Sequence, residues 1–409
     1  MTLLVGILCG LAGVSAVIYA LGFWATVKRR AHRPRRAPGA ELPPVSILKP
    51  IKGEEEELRE NLRSIFESDY PAPVEVIFAS TDLADPGIVL ARAIADEFPE
   101  VPSRFVLADP GYGLNPKVCN LAAAMDVARY DLLWQSDANV RVEPSYLRKV
   151  VGEMIAEDAH MLTSIVVGTG EVSRSAALEN LQMSAFIAPG MCAALEVAGI
   201  HCVCGKSMLF RRSELDEIGG IGFVRDILCE DFILGREYHR RGRKVVLSAT
   251  LVRNVNRTMG FERFWSRHSR WLKMRTTLHL GGFFADLGSN PVALLALAVL
   301  VSGFEGWVLG VFGLVVVLKT ITDAMLLRIA RGESMAPQLV VLAPLKDLLM
   351  AVIWVYALFS RSVRWRGTKL RFGKDTRLRP DDGALPVRVL LRPLWANTHA
   401  TAACGRQLH

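Results

Sequence analysis

Residues 132–139 read Leu132-Leu133-Trp134-Gln135-Ser136-Asp137-Ala138-Asn139. A short apolar run of this kind predicts a β-strand buried on both faces, as the strands of a parallel sheet are. A carboxylate stands at its exit. In open α/β sheets, ligands bind just beyond the carboxyl ends of the strands. Asp137 therefore falls where such a sheet does its chemistry. Taken alone, Asp137 and Asn139 also fit an Asx-turn, so the surrounding sequence has to decide.

Outward from this strand the same pattern repeats. Strands are predicted at 45–48, 74–79, 104–107, 132–135, 162–166, 203–210 and 244–247. Helices are predicted at 54–67, 85–97, 116–128, 144–157 and 231–241. This alternation predicts a mostly parallel sheet with helices on both faces, an α/β domain over 45–275.

The flanks differ. Residues 2–27 are almost uncharged and longer than the roughly 20 residues needed to span a bilayer. The run is too long for a signal-peptide core, and its basic residues follow it. It reads as an uncleaved anchor (1–27) with its N-terminus outside, followed by a basic linker (28–44). Residues 291–303, 306–327 and 338–360 are candidate spans, interrupted by Glu305 and by Pro344, Lys346 and Asp347. A cytoplasmic domain and a cytoplasmic tail require an even number of crossings between them. One element of 276–360 is therefore expected to be re-entrant or interfacial, or 278–285 to add a further one. A basic tail (361–409) closes the chain.

Half of the 409 residues are apolar (51%), and the net charge is +8. Lys28, Arg29, Arg30, Arg33, Arg35 and Arg36 follow the first apolar run. Arg361, Arg364, Arg366, Lys369, Arg371 and Lys374 follow the last. Basic clusters beside apolar spans read as cytoplasmic flanks facing anionic lipid. They lack the aromatic interleaving of a nucleic-acid surface, so no nucleic-acid partner is expected. Seven cysteines show no framework spacing and read as reduced thiols. A transporter would carry ionisable residues inside several long spans, and a scaffold has no use for spaced carboxylates at strand ends.

Beyond Asp137, three further stretches carry candidate chemistry. Ser80-Thr81-Asp82 follows the strand at 74–79. Asp85-Pro86 has the form of an N-cap followed by an N1 proline. Asp82 sits too early for that cap and suits a nucleotide base or ribose. Glu230 and Asp231 open a helix, where the dipole keeps a carboxylate ionised and ready to act as a base. Arg267, Arg270 and Trp271 are spaced i, i+3, i+4 on one helical face, apt for a leaving diphosphate. The same helix, with Phe264 and Trp265, also has the look of an interfacial helix. Gly111-Tyr112-Gly113-Leu114-Asn115-Pro116-Lys117 precedes a helix and suits a diphosphate, although it has neither phosphate-loop pattern. Asp137, with Asn139, is the candidate ligand for a divalent cation, Mg²⁺ or Mn²⁺. His201 and His268 are set aside as structural.

Together these residues resemble the ceramide glucosyltransferase family, membrane-bound relatives of the processive glycan synthases. That family's pattern is three separated aspartate sites plus [Q/R]-x-x-R-W, matched here by Asp82, Asp137 and Asp231, and by Arg267, Arg270 and Trp271. Residues 45–53 (Val-Ser-Ile-Leu-Lys-Pro-Ile-Lys-Gly), Asn115-Pro116-Lys117 with Asn120-Leu121, and Cys202-Val203-Cys204-Gly205-Lys206-Ser207 are similar as well, and the tail from Trp365 to Arg371 loosely so. The resemblance implies a GT-A-like domain with transmembrane helices at both ends, a UDP-sugar donor, a divalent cation, and inverting transfer of glucose from UDP-glucose to the primary hydroxyl of ceramide. It implies that Lys49, Asp82, Lys117 and Asp137 contact the donor, with Asp137 also on the metal. Asp231 would be the base, and Arg267, Arg270 and Trp271 would line the leaving-group site. It further implies an integral, multi-pass protein whose catalytic domain is cytoplasmic, at the inner membrane if the source is bacterial, as the Ala, Arg and Gly content suggests. Animal members carry histidine before the proline of Ile187-Ala188-Pro189. Ala188 here leaves a hopanoid acceptor with UDP-N-acetylglucosamine as the alternative.

Overall fold

The computed structural model describes residues 1–32, 41–360, 362–365 and 368–380. Arg33, Arg35, Arg36, Arg361 and Arg366 of the basic clusters lie outside the described residues.

Eight strands form one sheet: β1 (Val45–Pro50), β2 (Val74–Ser80), β3 (Ser103–Leu107), β4 (Leu132–Ser136), β5 (Val140–Arg141), β6 (Met161–Thr169), β7 (Ser207–Arg211) and β8 (Val245–Val255). Their order is β3-β2-β1-β4-β7-β6-β8-β5. Alternation along the strands sets the two faces. Val45, Ile47, Leu132 and Trp134 pack on one side, against Leu58, Leu62, Ile88 and Val150. Leu48 and Leu133 point the other way, towards Val118, Leu121, Ile233 and Tyr238. Strand β4 is buried along its whole length, as its apolar run requires.

The sheet is mixed rather than mostly parallel. Strands β1 to β4 pair in parallel, as do β6 and β8. However, β7 runs antiparallel to both β4 and β6, and β5 is antiparallel to β8. Periodicity carries no direction, so the reversal of β7 was hidden in the sequence. Strand β7 also begins four residues later than the predicted 203, because residues 203–206 form a loop whose backbone serves the site.

Thr2–Ala31, Gly306–Arg331 and Pro337–Leu358 are long and apolar enough to cross a membrane, by length and composition. Leu280–Gly288 and Pro291–Ser302 form a pair bent by 65°, at the place where a further element was expected. Arg174–Ala198 also qualifies, although half of its apolar window is buried inside the protein. It was missed because Arg174, Glu179, Asn180 and Gln182 break its apolar run.

The basic end of the N-terminal helix does not simply face lipid. Lys28 pairs with Glu196 at 2.7 Å. Arg29 donates to the carbonyl of Leu247, and Arg30 to those of Ala249 and Ile329. Guanidinium groups at a helix end here clasp exposed main-chain carbonyls and dock the helix on β8.

The described part of the tail (362–365 and 368–380) is more than a charge cluster. Ser362–Trp365, Thr368–Phe372 and Leu378–Pro380 form a three-stranded sheet. Its Val363, Leu370, Phe372 and Leu378 pack on Leu228 and Met274. Thr376 accepts the backbone N–H of Leu228 through its carbonyl at 3.1 Å, and that of Cys229 through its hydroxyl at 3.2 Å. These contacts brace the turn that leads into Glu230.

Candidate functional site

The Glu230–Arg240 helix starts with two carboxylates in its first turn, where the dipole favours them. The Pro116–Val127 helix starts opposite, capped by Asn115, whose side-chain oxygen accepts from Lys117 N at 2.9 Å and Val118 N at 3.1 Å. The Asn115 amide donates to the Ile227 carbonyl at 2.7 Å and to Glu230 at 3.2 Å. The capping residue thus locks the two helix starts together.

Lys117 occupies the centre. Its ammonium lies 2.9 Å from Asp137 Oδ1 and 3.1 Å from Glu230 Oε1, and it donates to the Gly205 carbonyl at 3.0 Å. Lys206 lies 3.7 Å from the other Asp137 oxygen and donates to Asn139 at 3.0 Å. Burial would lift the Asp137 carboxyl, but Lys117, Lys206 and Lys49 outweigh it and hold the group below its ordinary value. Burial would also lower the Lys117 ammonium, yet Asp137, Glu230 and Asp231 raise it. Glu230 goes the other way. Its burial raises it, Lys117 offsets this in part, and Asp231 adds to it.

Asp231 is held by backbone. Its Oδ2 accepts from Gly205 N at 2.6 Å, and its Oδ1 from Phe232 N at 2.8 Å and the Cys229 thiol at 3.3 Å. A carboxylate oxygen has two lone pairs, so acceptor capacity remains towards the cavity. Gly205 is required by close approach. A Cβ there would lie 2.7 Å from the Lys117 ammonium and 3.0 Å from Asp231 Oδ2.

The Phe261–Leu278 helix supplies the facing wall. Arg267, Arg270 and Trp271 all line the same cavity as Lys117, Asp137, Glu230 and Asp231. Arg267 is nonetheless mostly buried and bound to Glu179 at 2.6 Å. Glu179 also holds His268 Nε2 at 2.8 Å, and the His268 ring meets Trp271 edge-on at 5.5 Å. Burial would lower the Arg267 guanidinium, but Glu179 raises it. Of the two arginines expected to face the diphosphate, Arg267 is therefore anchored on a buried carboxylate.

Two expected site residues do not line the cavity. Asp82 is exposed beyond the end of β2, and its carboxylate accepts from Ala84 N at 2.8 Å. It is not among the residues lining the cavity. Lys49 is fully buried behind the site. It donates to the Asp137 carbonyl at 2.7 Å and to Ser136 Oγ at 3.2 Å, and burial lowers it to about 7. It shapes the exit of β4 and does not line the cavity. Asp85 is the helix cap its sequence suggested, accepting from Gly87 N at 2.8 Å.

Three residues escaped the sequence reading. Gly205 and Lys206 lay inside a quoted stretch whose Gly-Lys step before a strand was the available signal. Glu179 had none, being a lone acid in a short polar helix 88 residues from its partner Arg267.

Among the described residues, no group of three or more His, Cys, Asp or Glu is arranged to hold a metal ion. Asp137 offers one hard-oxygen ligand to the cavity.

Residues 8–378 match the family model described as glycosyl transferase family 21. Ceramide glucosyltransferase 1 of Caenorhabditis elegans is 27% identical over 271 residues, which span 66% of this chain and 57% of that protein. The ceramide glucosyltransferase of Komagataella phaffii is 30% identical over 216 residues, 48% of this chain and 42% of its own. The chain thus spans about half the length of the curated relatives it matches. Among solved structures, mannosyltransferase PcManGT from Pyrobaculum calidifontis, in complex with GDP-Man and Mn²⁺, aligns with a TM-score of 0.50 at 17% identity, covering 86% of this chain and 98% of that one. That likeness gives the sheet its class, a GT-A-like fold carrying apolar helices at both ends. With nine-tenths of its length matched by the family model, the chain belongs to glycosyl transferase family 21.

Proposed function

We propose that this protein is an inverting, membrane-bound glucosyltransferase that moves glucose from UDP-glucose to the primary hydroxyl of ceramide. The supporting observation is a single cavity of about 1350 Å³ lined by Asp137, Glu230, Asp231, Arg267, Arg270 and Trp271 and continuing to Ile18 and Leu21 of the N-terminal helix. One small ligand usually fills roughly 300–1000 Å³, so this space suits a donor and an acceptor side by side.

The chemistry assigned to the chain's own residues is a single displacement. Asp231 accepts the proton of the lipid hydroxyl. The hydroxyl oxygen bonds to the anomeric carbon from the face opposite the diphosphate. The bond from that carbon to the phosphate oxygen breaks, and UDP leaves with the electron pair. Lys117 at a helix N-terminus and Arg270 on the facing helix carry the charge that grows on the leaving group. Arg267, fixed by Glu179, holds that wall in place, and Trp271 lines the sugar side. Asp82 would meet the base or ribose outside the cavity, and Lys49 acts through the Asp137 backbone. A divalent cation, Mg²⁺ or Mn²⁺, would be held by Asp137, with donor oxygens and water completing its shell. Such ions are usually bound by one or two carboxylates plus phosphates. When bound, it supplies positive charge to the diphosphate.

The same reading makes the protein multi-pass, with the sheet and tail at the cytoplasmic face of the bilayer. The bent pair at residues 280–302 would then be re-entrant, leaving two crossings between them. The organisation follows as anchor (1–27), basic linker (28–44), catalytic domain (45–275), membrane helices (276–360) and tail (361–409).

Gly205→Ala tests the geometry. The added methyl must displace Lys117 or Asp231, and a misplacement of this size costs about 100-fold in rate. Turnover should fall by about that factor with the far-ultraviolet circular dichroism unchanged. Wild-type turnover would mean that Gly205 does not set the site. The reaction itself is tested by mass spectrometry of lipids from a host expressing the gene and fed ceramide. Glucosylceramide is the expected product. A glycosylated hopanoid as the sole product would shift the acceptor to the alternative that Ala188 leaves open.

A further inference from the structure

The cavity has a polar half and an apolar half. The polar half is the site already described. The apolar half runs between the N-terminal helix and the Ala188–Ala198 helix, under the Leu280–Gly288 corner. Its wall includes several small residues, among them Gly22, Ala194 and Ala285. The two long helices touch at Gly22, where a Cβ would lie 3.7 Å from Pro189 Cβ. The corner reaches the N-terminal helix at Gly288, where a Cβ would lie 3.9 Å from Ile18 Cδ1. Away from these contacts the wall opens outwards. Ile18, Leu21, Val197 and Ile200 all line the cavity, yet are 37%, 41%, 55% and 40% exposed. Large apolar residues left in contact with solvent around one opening mark a surface that something apolar covers. Two of them, Ile18 and Leu21, belong to a helix long and apolar enough to span the bilayer, and Val197 belongs to a second such helix.

We infer that this apolar half binds the hydrocarbon of the acceptor lipid, which enters sideways from the membrane through the opening rimmed by Ile18, Leu21, Val197 and Ile200. The inference rests on the proposed reaction for the identity of the lipid. The lipid's hydroxyl would travel inwards to Asp231 while its chains stay in contact with the bilayer. Full extraction of the lipid into water is then unnecessary. The glycine and alanines in this wall leave width for a chain, and a bulky side chain there would fill it.

The test is photolabelling of the full-length protein in phosphatidylethanolamine–phosphatidylglycerol vesicles with a ceramide carrying a diazirine on its acyl chain. Labelled peptides should come from 188–200 and from the second half of the N-terminal helix, and unlabelled ceramide should suppress the signal. Ala194→Trp and Ala285→Trp should each lower labelling about tenfold, the scale of overfilling a packed site, with UDP binding unchanged. Ala194→Ser should label as wild type. Labelling confined to outward residues of Gly306–Arg331, or signal that excess ceramide does not displace, would overturn the assignment. So would tryptophan variants that label as strongly as wild type. Sugar transfer is scored separately. A protein that labels here but transfers no sugar contradicts the proposed reaction and upholds the lipid site. One that transfers sugar but labels elsewhere does the reverse.

Discussion

Replacing Asp231 by asparagine is expected to cut sugar transfer by about a thousandfold, within the 10²–10⁴-fold range that general bases contribute. Asparagine keeps the size of the side chain, and its oxygen can still accept from Gly205 N, so the loop and the Glu230–Arg240 helix should stay in place. The loss is of basicity and of the one hydrogen bond from Phe232 N, which an amide NH2 cannot accept. Glu230 is the neighbouring candidate, and its burial raises its proton affinity, which would suit a base. Its oxygens are already engaged, one by Lys117 at 3.1 Å and the other by Asn115 at 3.2 Å. Asp231 is bound mainly by backbone N–H groups, which fix its direction. Glu230→Gln should therefore weaken donor binding more than it slows turnover. Steady-state kinetics with radiolabelled donor, alongside calorimetric titration with UDP, separates the two effects. Asp231→Asn with unchanged kcat, or Glu230→Gln as the more damaged catalyst, would remove Asp231 from the role.

The second large effect concerns stability. Lys319 lies 2.9 Å from both Asp323 and Asp347, and Lys346 lies 2.6 Å from Asp347. Tyr19 donates to Asp323. All four charged residues are buried, and two of each sign leave the group neutral. The quartet ties together the N-terminal helix, Gly306–Arg331 and Ala343–Leu358. Ionisable groups in such helices are expensive unless paired. Removing one partner strands a buried charge, so Asp323→Ala should destabilise the protein by about 3–5 kcal/mol. The double change Lys319→Met with Asp323→Leu should recover most of that, because a packed apolar pair often replaces a buried ion pair without loss. Unfolding in detergent, followed by tryptophan fluorescence, gives both numbers. A single variant as stable as wild type would show that the quartet does not hold the helices together.

Much of this was legible in the residues themselves. The strand exit at Asp137, the helix start at Glu230 and Asp231, and the face shared by Arg267, Arg270 and Trp271 were all readable because each depends on local periodicity or on a helix end. Long-range pairing was not readable. Lys346 and Asp347 looked like a break in a span, since their partners Lys319 and Asp323 belong to another helix. Strand β7 gave away its apolar run but not its direction. Glu179 was invisible because nothing near it in the chain announces Arg267. Asp82 and Lys49 show a further limit. Motif membership names them for the donor but does not say where they stand: the fold sets one on the surface and the other behind the Asp137 backbone.

In the proposed reaction, donor and lipid meet in one cavity, between Asp231 and the cationic helix, for direct transfer. This is tested most directly by incubating the purified protein with UDP-[¹⁴C]glucose and ceramide and reading the lipid product and its anomeric configuration. Radiolabelled β-glucosylceramide, formed one-for-one with UDP, is the expected product. Failure to label ceramide or hopanoid from any UDP-sugar, by protein that binds UDP and is fully folded, would contradict it.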